Sequence, residues 1–211
     1  MKINEVINKV EVFGIESAVR GSKFPMATEL DKVTGEITPT TEKLATCGLG
    51  EGHDNFLNGI IVQFDCTFTN KAWVELQRYH FIDFISSQST MHRITKFDMD
   101  KAFISYVDQR MVEIMKEKIQ EYNNLQVTIK TKRDGGEDIT DLTKAAAQKY
   151  LEILYSNPAG FQITARMTTN YRQLKTIYIQ RRHHRLPEWQ AFCDWIESLP
   201  HSEFIVPRKQ G

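Results

Sequence analysis

The chain has 211 residues, and its 27 lysine and arginine residues balance its 27 aspartate and glutamate residues. Hydrophobic residues make up 41% of the composition, which suits a globular protein and excludes an intrinsically disordered chain. The balanced charge excludes a strong overall attraction to nucleic acid or to a membrane surface, and no apolar run approaches the length of a membrane span. The length suits one domain over residues 1–211, and the three scattered cysteines favour a reduced, cytoplasmic setting.

The first third of the sequence predicts two strands separated by an irregular segment and a helix. A strand is predicted over residues 9–15, a long loop or an irregular hairpin over residues 21–41 and a helix over residues 41–49, capped by Thr40 or Thr41. Strict alternation then predicts a half-buried strand. Its buried face is expected to carry Ile60, Val62, Phe64, Cys66 and Phe68.

The middle of the sequence predicts mostly helices. A helix is predicted over residues 72–84, with His80 on its apolar side, and the polar segment 86–90 follows it. A long helix is predicted from Asp98 or Asp100 to about residue 123. Its apolar stripe is expected to be Phe103, Val107, Met111, Ile114, Met115 and Ile119. Further predictions are a short strand over residues 126–130, a turn over residues 134–138 and a helix over residues 141–155.

The last part of the sequence predicts a strand followed by two helices. Alternation predicts a strand over residues 160–169, and Asn170 is expected to cap the helix that follows. A final helix is predicted from Pro187, because proline suits a first helical turn. The apolar stripe of this helix is expected to be Trp189, Phe192, Trp195 and Ile196. We therefore predict an α+β fold with an antiparallel sheet and long helices.

Several segments resemble motifs of one enzyme family, the flavin-dependent thymidylate synthases. The family has a GHES-like segment, an R-H-R triplet and an S-x-R-Y motif, and the corresponding segments here are Gly52-His53, Tyr79-His80-Phe81 and Ser89-Thr90-Met91-His92. The histidine of the triplet and the serine match, whereas three family arginines are replaced. A later block matches T-x-N-x-R-S-L at Thr168, Asn170, Arg172 and Leu174. Arg181 falls on a further arginine in the family's next helix.

The resemblance implies a fold, an activity and a set of site residues. Family members are homotetramers that bind FAD and use NADPH and methylenetetrahydrofolate to methylate dUMP at C5. Ser89 is thereby implied as the catalytic residue. The implied flavin-binding residues are His80, Asn170, Arg172 and Thr176. The implied nucleotide-binding residues are Ser87, Gln88, Ser89 and Arg181. No metal ion is expected.

The departures from the family motifs keep other hypotheses open. Tyr79, Phe81 and Met91 replace arginines, which favours either a changed substrate or a non-catalytic protein of the same fold that binds nucleotide or acts in assembly. A weaker alternative is a nucleic-acid-associated protein that uses the basic run 180–185. His53 and Asp54 are predicted to be either a pair that supports the site or a simple turn.

Overall fold

Helices of very different length and four strands occur along the part of the chain that the computed structural model describes, which is residues 1–48 and 50–206. The elements are α1 (Ile3–Val6), β1 (Ile7–Phe13), α2 (Ile15–Ser22), α3 (Pro39–Ala45), β2 (Ile61–Thr69), α4 (Asn70–Leu76), β3 (Ile82–Ser87), α5 (Thr90–Arg93), α6 (Gln109–Asp134), α7 (Thr140–Ser156), β4 (Gln162–Asn170), α8 (Tyr171–Arg181) and α9 (Pro187–Glu197). Single 3₁₀ turns occupy Phe24–Met26, Leu30–Lys32, Asn55–Gly59, Ile94–Lys96 and Ser202–Phe204.

Within the described residues, the strands form one antiparallel sheet in the order β1-β2-β4-β3. The register aligns Val12 of β1 with Val62 of β2, and Asp83 of β3 with Thr168 of β4. The two central strands are those with strict alternation in the sequence. The predicted α+β architecture is confirmed.

The alternation of β2 puts one of its faces against the last helix. Val62, Phe64, Cys66 and Phe68 are fully buried, as predicted. The Phe64 ring centroid lies 4.6 Å from that of Trp195, and the Phe68 centroid lies 5.1 Å from that of Trp189. Aromatic pairs at these separations add to the stability that comes from burying their surface. The predicted apolar stripe of α9 is therefore confirmed.

The boundary between β4 and α8 also follows the prediction. The Oδ1 of Asn170 accepts a hydrogen bond from the backbone N–H of Gln173 at 2.9 Å. This bond satisfies one of the backbone donors that the first turn of a helix leaves without an intrahelical partner. The Asn170 side chain therefore stabilises the start of α8 directly after β4.

The chain divides into two compact units. One comprises Met1–Phe68, Val74–Ser87 and the residues from Thr164 onward, and it contains most of the sheet together with α8 and α9. The other comprises Thr69–Trp73 and Gln88–Ile163, in which α6 and α7 pack against each other. The prediction of a single domain stays a prediction. Within residues 1–48 and 50–206, no helix is long and apolar enough to cross a membrane.

The helix predicted over residues 72–84 is wrong in its second half. Helix α4 ends at Leu76, and residues 82–87 form strand β3 instead. As a consequence, His80 lies in an exposed connection rather than on a helix, and Phe84 is 42% exposed. The backbone of β3 pairs with β4, and this long-range pairing has no signature within the segment itself.

The long helix of the second unit begins and ends later than predicted. It begins after Asp108, whose Oδ1 accepts a hydrogen bond from the N–H of Arg110 at 2.9 Å, so Asp98 and Asp100 are not its cap. It continues through residues 126–130, where a strand was predicted. The predicted apolar stripe is also partly wrong, since Met111 and Ile114 are 44% and 49% exposed. The helix buries Val112, Met115, Ile119 and Ile129.

Near the N-terminus the predicted boundaries shift by a few residues. Strand β1 ends at Phe13 and is followed by α2, where only a short polar segment was expected. The predicted helix over residues 41–49 begins at Pro39, and its cap is Thr38 rather than Thr40 or Thr41. The last residue of that prediction, Leu49, lies outside the described residues.

Candidate functional site

A pocket of about 1090 Å³ lies in the first unit, between α2, α3 and the segment that precedes β2. Its lining residues are Ser17, Ala18, Gly21, Ser22, Lys23, Pro25, Met26, Thr38, Thr40, Thr41, Leu44, Gly52, His53, Asn55, Phe56 and Gly59. The lining combines apolar side chains and glycines with polar groups, among them hydroxyls, an amide and an imidazole. That mixture suits an organic ligand with an apolar ring and polar edges.

The wall of the pocket is fixed by a lysine and a close backbone approach. The Lys23 ammonium donates hydrogen bonds to the carbonyls of Thr34 and Glu36, at 3.0 and 2.6 Å, and so holds in place the loop that leads to α3. Gly14 has a φ of +83°, and a Cβ at this position would lie 2.4 Å from the carbonyl oxygen of Gly59. A side chain at residue 14 would therefore displace the backbone at Gly59, which lines the pocket.

The loop that carries the Gly52-His53 motif sends alternate side chains in different directions. His53 and Asn55 line the pocket, whereas Asp54 is buried and only 1% exposed. The Asp54 carboxylate accepts a hydrogen bond from the Lys175 ammonium at 2.8 Å. The loop is thus anchored to α8 by the residue between the two that face the pocket.

Lys175 is the residue that the sequence interpretation missed. Its ammonium also donates to the carbonyls of Ala45 and Cys47, at 2.8 and 2.7 Å, and the residue is 4% exposed. Three acceptors satisfy the three donors of an ammonium group, which makes burial of this charge tolerable. The available signal was a lysine within the otherwise apolar stripe of α8, beside Leu174 and Tyr178.

The first turns of α8 bring three of the predicted flavin-binding residues together. The Nε of Arg172 lies 3.3 Å from Oδ1 of Asp54, close enough for an ion pair although the geometry is not that of a hydrogen bond. The Arg172 side chain remains 36% exposed. Thr176 lies one turn later and donates its hydroxyl to the Arg172 carbonyl at 3.3 Å. Asn170 caps the helix, so its Oδ1 already has a structural role.

At the other end of α8, Arg181 is held by neighbouring side chains. Its Nη1 donates to Oε2 of Glu75 at 3.3 Å, and its Nε donates to the hydroxyl of Tyr79 at 2.8 Å. The guanidinium carbon lies 5.4 Å from the Tyr79 ring centroid and 5.0 Å from that of Trp189. Burial is the main reason that the pKa of Tyr79 is raised above its usual value, and the hydrogen bond from Arg181 opposes this rise. The arginine is thus oriented, and its charge is balanced within the protein.

The remaining predicted residues are less enclosed. His80 and Ser87 are exposed, and Ser87 is the last residue of β3. In the second unit, Gln88 is exposed and the hydroxyl of Ser89 accepts a hydrogen bond from the N–H of His92 at 3.3 Å. Ser89 is therefore the cap of α5, a structural role for the residue implied as catalytic.

Comparisons with known proteins give a clear result for structure alone. No model of a known protein family matches this sequence. No curated protein matches it either. A crystal structure of the flavin-dependent thymidylate synthase ThyX from Helicobacter pylori, complexed with FAD and dUMP, superposes with a TM-score of 0.62 at 14% identity. The match covers 94% of this chain and 98% of that one. A second structure of the same enzyme with FAD and dUMP gives a TM-score of 0.59 at 13% identity, covering 92% and 95%.

The chain has the fold of the flavin-dependent thymidylate synthases. The resemblance found in the sequence is therefore confirmed for the fold, which is that of ThyX. The replacements of family arginines can now be placed in the structure. Tyr79 contacts Arg181, Phe81 is 70% exposed and Met91 is 59% exposed. Phe81 and Met91 therefore present apolar side chains at the surface.

Acidic side chains partly neutralise the basic run 180–185 of this ThyX-fold protein. Arg182 forms ion pairs with Asp194 and Glu197, at 2.7 and 3.1 Å, in addition to the pairing of Arg181. A run with its charges already paired gives a weaker attraction to a nucleic-acid backbone. Across residues 1–48 and 50–206, no group of three or more histidine, cysteine or acidic residues is arranged to hold a metal ion.

Proposed function

We propose that the protein is a divergent FAD-dependent enzyme that transfers a folate-derived one-carbon unit to C5 of a pyrimidine deoxynucleotide or a relative of it. The observation that carries this proposal is the pocket beside the Gly52-His53 segment. It belongs to a chain whose fold is that of an enzyme crystallised with FAD and dUMP. The proposal also includes NADPH and methylenetetrahydrofolate as co-substrates and a cytoplasmic location.

The residues around the pocket fit a flavin. The volume of the pocket, about 1090 Å³, is slightly above the usual range of small-molecule sites and leaves room for a large cofactor. His53 and Asn55 would face the polar edge of the ring system, and Phe56 would contact its apolar part. Arg172 of α8 does not line the pocket, but it lies 3.3 Å from Asp54, the residue between the lining residues His53 and Asn55, and it would supply a cation for a phosphate group. The flavin would supply the redox chemistry, and the protein would bind and orient it.

The roles proposed for the other predicted residues follow from the same assignment. We propose that Asn170, Thr176 and His80 contact the flavin and that Ser87, Gln88, Ser89 and Arg181 contact the pyrimidine compound. The site would be completed by other copies of the chain in a homotetramer. Light scattering of the purified protein should then give four chains per particle, and a monomer at micromolar concentration would contradict this part of the proposal.

A pocket-filling substitution tests flavin binding directly. A Cβ at Gly21 would have no atom within 4 Å, so Gly21→Leu can add a side chain to the pocket with little strain on the fold. The matched control is Gly135→Leu, where a Cβ would make only ordinary contacts at 3.5 Å and beyond. FAD affinity, measured by calorimetric titration and visible absorbance, should fall at least about tenfold in the first variant and stay unchanged in the second.

Two results would overturn the flavin assignment. Native protein that takes up no FAD would remove the enzyme proposal and leave only the fold. FAD binding that Gly21→Leu leaves unchanged would show that flavin binds elsewhere. Circular dichroism of the two variants checks that both retain the native helices.

A second candidate function is a non-catalytic protein of the same fold. It is favoured by the pairing of Arg181 with Glu75, which balances the charge expected to hold a nucleotide. The two functions differ in turnover. The enzyme should consume NADPH when FAD, methylenetetrahydrofolate and a pyrimidine substrate are present, whereas the non-catalytic protein should bind ligands without consuming NADPH.

A further inference from the structure

A pocket of about 450 Å³, the α6–α7 pocket, lies in the second unit between these two packed helices. The pocket beside the Gly52-His53 segment is in the first unit, and the two pockets share no lining residue. The volume of the α6–α7 pocket lies within the usual range of small-molecule sites. None of its lining residues has a part in the proposed function, so its use has to be inferred from its own chemistry.

Alanines of α7 leave this space open. Ala146 and Ala147 both line the α6–α7 pocket, together with Ile129 of α6. Ile129 and Ala146 are 4% and 3% exposed, so they form the buried part of the lining. An alanine side chain ends at its Cβ, and two adjacent alanines therefore leave room that larger side chains would fill. The buried part of the pocket is apolar and can take a ring system.

One face of α6 supplies polar groups to the same pocket. Tyr122, Gln126 and Arg133 all line it, and their separations of four and seven residues place them along one face of the helix. Within residues 1–48 and 50–206, the Tyr122 hydroxyl, the Gln126 amide and the Arg133 guanidinium form no hydrogen bond or ion pair. A ligand can therefore bind these groups without displacing a partner that the described residues provide.

The acidic side chains of the turn after α6 are engaged by residues other than Arg133. Glu137 pairs with the Lys132 ammonium at 2.6 Å. Oδ1 of Asp138 accepts hydrogen bonds from the N–H and the hydroxyl of Thr140, at 2.8 and 2.7 Å. Arg133 thus brings a positive charge to the pocket, and its planar guanidinium suits the paired oxygens of a carboxylate or a sulfonate.

Two tyrosine rings lie at the other end of the pocket. The ring centroids of Tyr122 and Tyr150 are 5.2 Å apart, and the Tyr150 hydroxyl donates to the carbonyl of Met91 at 2.9 Å, which holds this ring in place. Tyr122 and Arg133 are eleven residues apart, about 16 Å along the helix axis, and both long side chains line the space between them. An aromatic body can contact the tyrosines while an anionic group reaches the arginine.

We infer that the α6–α7 pocket binds a small aromatic monoanion, an aryl carboxylate or sulfonate. Its rings lie beside Ala146 and Ala147 and against the tyrosine pair, and its anionic group accepts hydrogen bonds from Arg133. This inference goes beyond the proposed function, because the site requires neither a flavin nor a pyrimidine compound. It assigns a ligand to the second unit, for which the proposed function gives no pocket.

The first test measures the contribution of the charge with two fluorescent probes. Anilinonaphthalene sulfonate is an aromatic monoanion, and phenylnaphthylamine is its uncharged analogue. Arg133 is exposed, so Arg133→Gln should weaken binding of the sulfonate about threefold, as expected for an exposed ion pair, and should leave binding of the uncharged analogue unchanged. Arg110→Gln is the control, because it removes the same charge at the opposite end of α6 from a side chain that is 87% exposed. It should change neither affinity.

The second test fills the pocket. Ala147→Phe adds a ring to the lining at an exposed position of α7 and should weaken binding of both probes at least about tenfold. The matched control is Ala145→Phe, which changes an equally exposed alanine of the same helix that does not line the pocket. This control should bind both probes as native protein does, and circular dichroism checks that both variants keep their helices.

The possible results separate this inference from the proposed function. Native protein that binds neither probe, or binding that Ala147→Phe leaves unchanged, would refute the inference. An equal loss in Arg133→Gln and Arg110→Gln would show an effect of net charge and refute the role of Arg133. Gly21→Leu, which fills the pocket of the first unit, should retain the binding that Ala147→Phe removes. Absence of FAD binding would refute the proposed function and leave this inference standing.

Discussion

The two ends of helix α8 carry similar charges in different surroundings. Near its start, Asp54 is 1% exposed and pairs with the deeply buried Lys175. At its end, Glu75 and Arg181 pair at 12% and 16% side-chain exposure. The first pair also binds two backbone carbonyls, whereas the second is surrounded by aromatic rings. The first pair anchors a loop, and the second holds an arginine in one orientation.

This difference shows how burial changes the role of an ion pair. A buried charge that loses its partner is strongly destabilising, so the pair near the start of α8 is needed for the loop to fold. The pair at the end of α8 has additional donors, which leaves the carboxylate partly satisfied if Arg181 is removed. We therefore expect the loss of the first pair to destabilise the fold more than the loss of the second.

The largest expected effect is the loss of the lysine that anchors the pocket loop. Lys175→Met should lower the free energy of unfolding by about 3–5 kcal/mol, because it removes the ammonium that donates hydrogen bonds to the buried Asp54 carboxylate and to two backbone carbonyls. Urea denaturation measures the change. Lys144→Met is the control, since Lys144 is 75% exposed and lies 3.7 Å from Asp141, and it should cost at most about 0.5 kcal/mol. Equal effects of the two variants would contradict the anchoring role.

A smaller effect is expected at the other end of α8. Arg181→Met should lower the free energy of unfolding by about 2 kcal/mol, since Glu75 keeps hydrogen bonds from other donors. The same urea titration places this value beside that of Lys175→Met. If Arg181→Met were the more destabilising change, the proposed difference between the two pairs would be reversed.

Two cysteines allow the two regions to be compared by thiol labelling. Cys47, whose carbonyl binds Lys175, is half-buried, whereas Cys193 of α9 is fully buried. Burial raises the pKa of Cys193 to about 12, so its thiol remains protonated at pH 9. Cys193 should therefore react with a thiol reagent at least about tenfold more slowly than Cys47, equivalent to about 1.4 kcal/mol of protection. Mass spectrometry identifies the labelled residue, and faster labelling of Cys193 would contradict its burial.

The same pKa shift predicts a dependence of stability on pH. In the unfolded chain the Cys193 thiol ionises near its ordinary value, while in the folded protein it still holds its proton. The contribution of this group is therefore present at lower pH and is lost as the pH rises toward 12. Cys193→Ala should flatten this part of the stability profile.

The smallest effect is expected in the basic run after α8. Arg182→Ser removes ion pairs to Asp194 and Glu197, whose side chains are 47% and 41% exposed, so it should cost about 0.5 kcal/mol of unfolding free energy. It should leave binding of FAD unchanged. Native protein that binds DNA with a steep salt dependence, lost in this variant, would favour the nucleic-acid hypothesis instead.

The sequence predicted the central strands and the last two helices because their signals are local. The alternation of β2 and β4, the Asn170 cap and the aromatic stripe of α9 each depend on side chains a few residues apart. The segment after α4 has no such local signal and was predicted wrongly. It forms β3, an edge strand whose partners on β4 lie more than 75 residues further along the chain. Its side chains carry no clear period, because most of them are exposed.

The sequence by itself determined the fold class and, through its motif spacing, the resemblance to a ThyX fold. The candidate site was determined differently. The motifs predicted Arg172 as a flavin-binding residue and left His53 and Asp54 open between a pair that supports the site and a simple turn. Only the tertiary structure brought Asp54, Lys175 and Ala45 together. The pairing of Glu75 with Arg181 also joins residues 106 positions apart. Periodicity and capping act over one or two turns, whereas a buried ion pair depends on where distant segments meet.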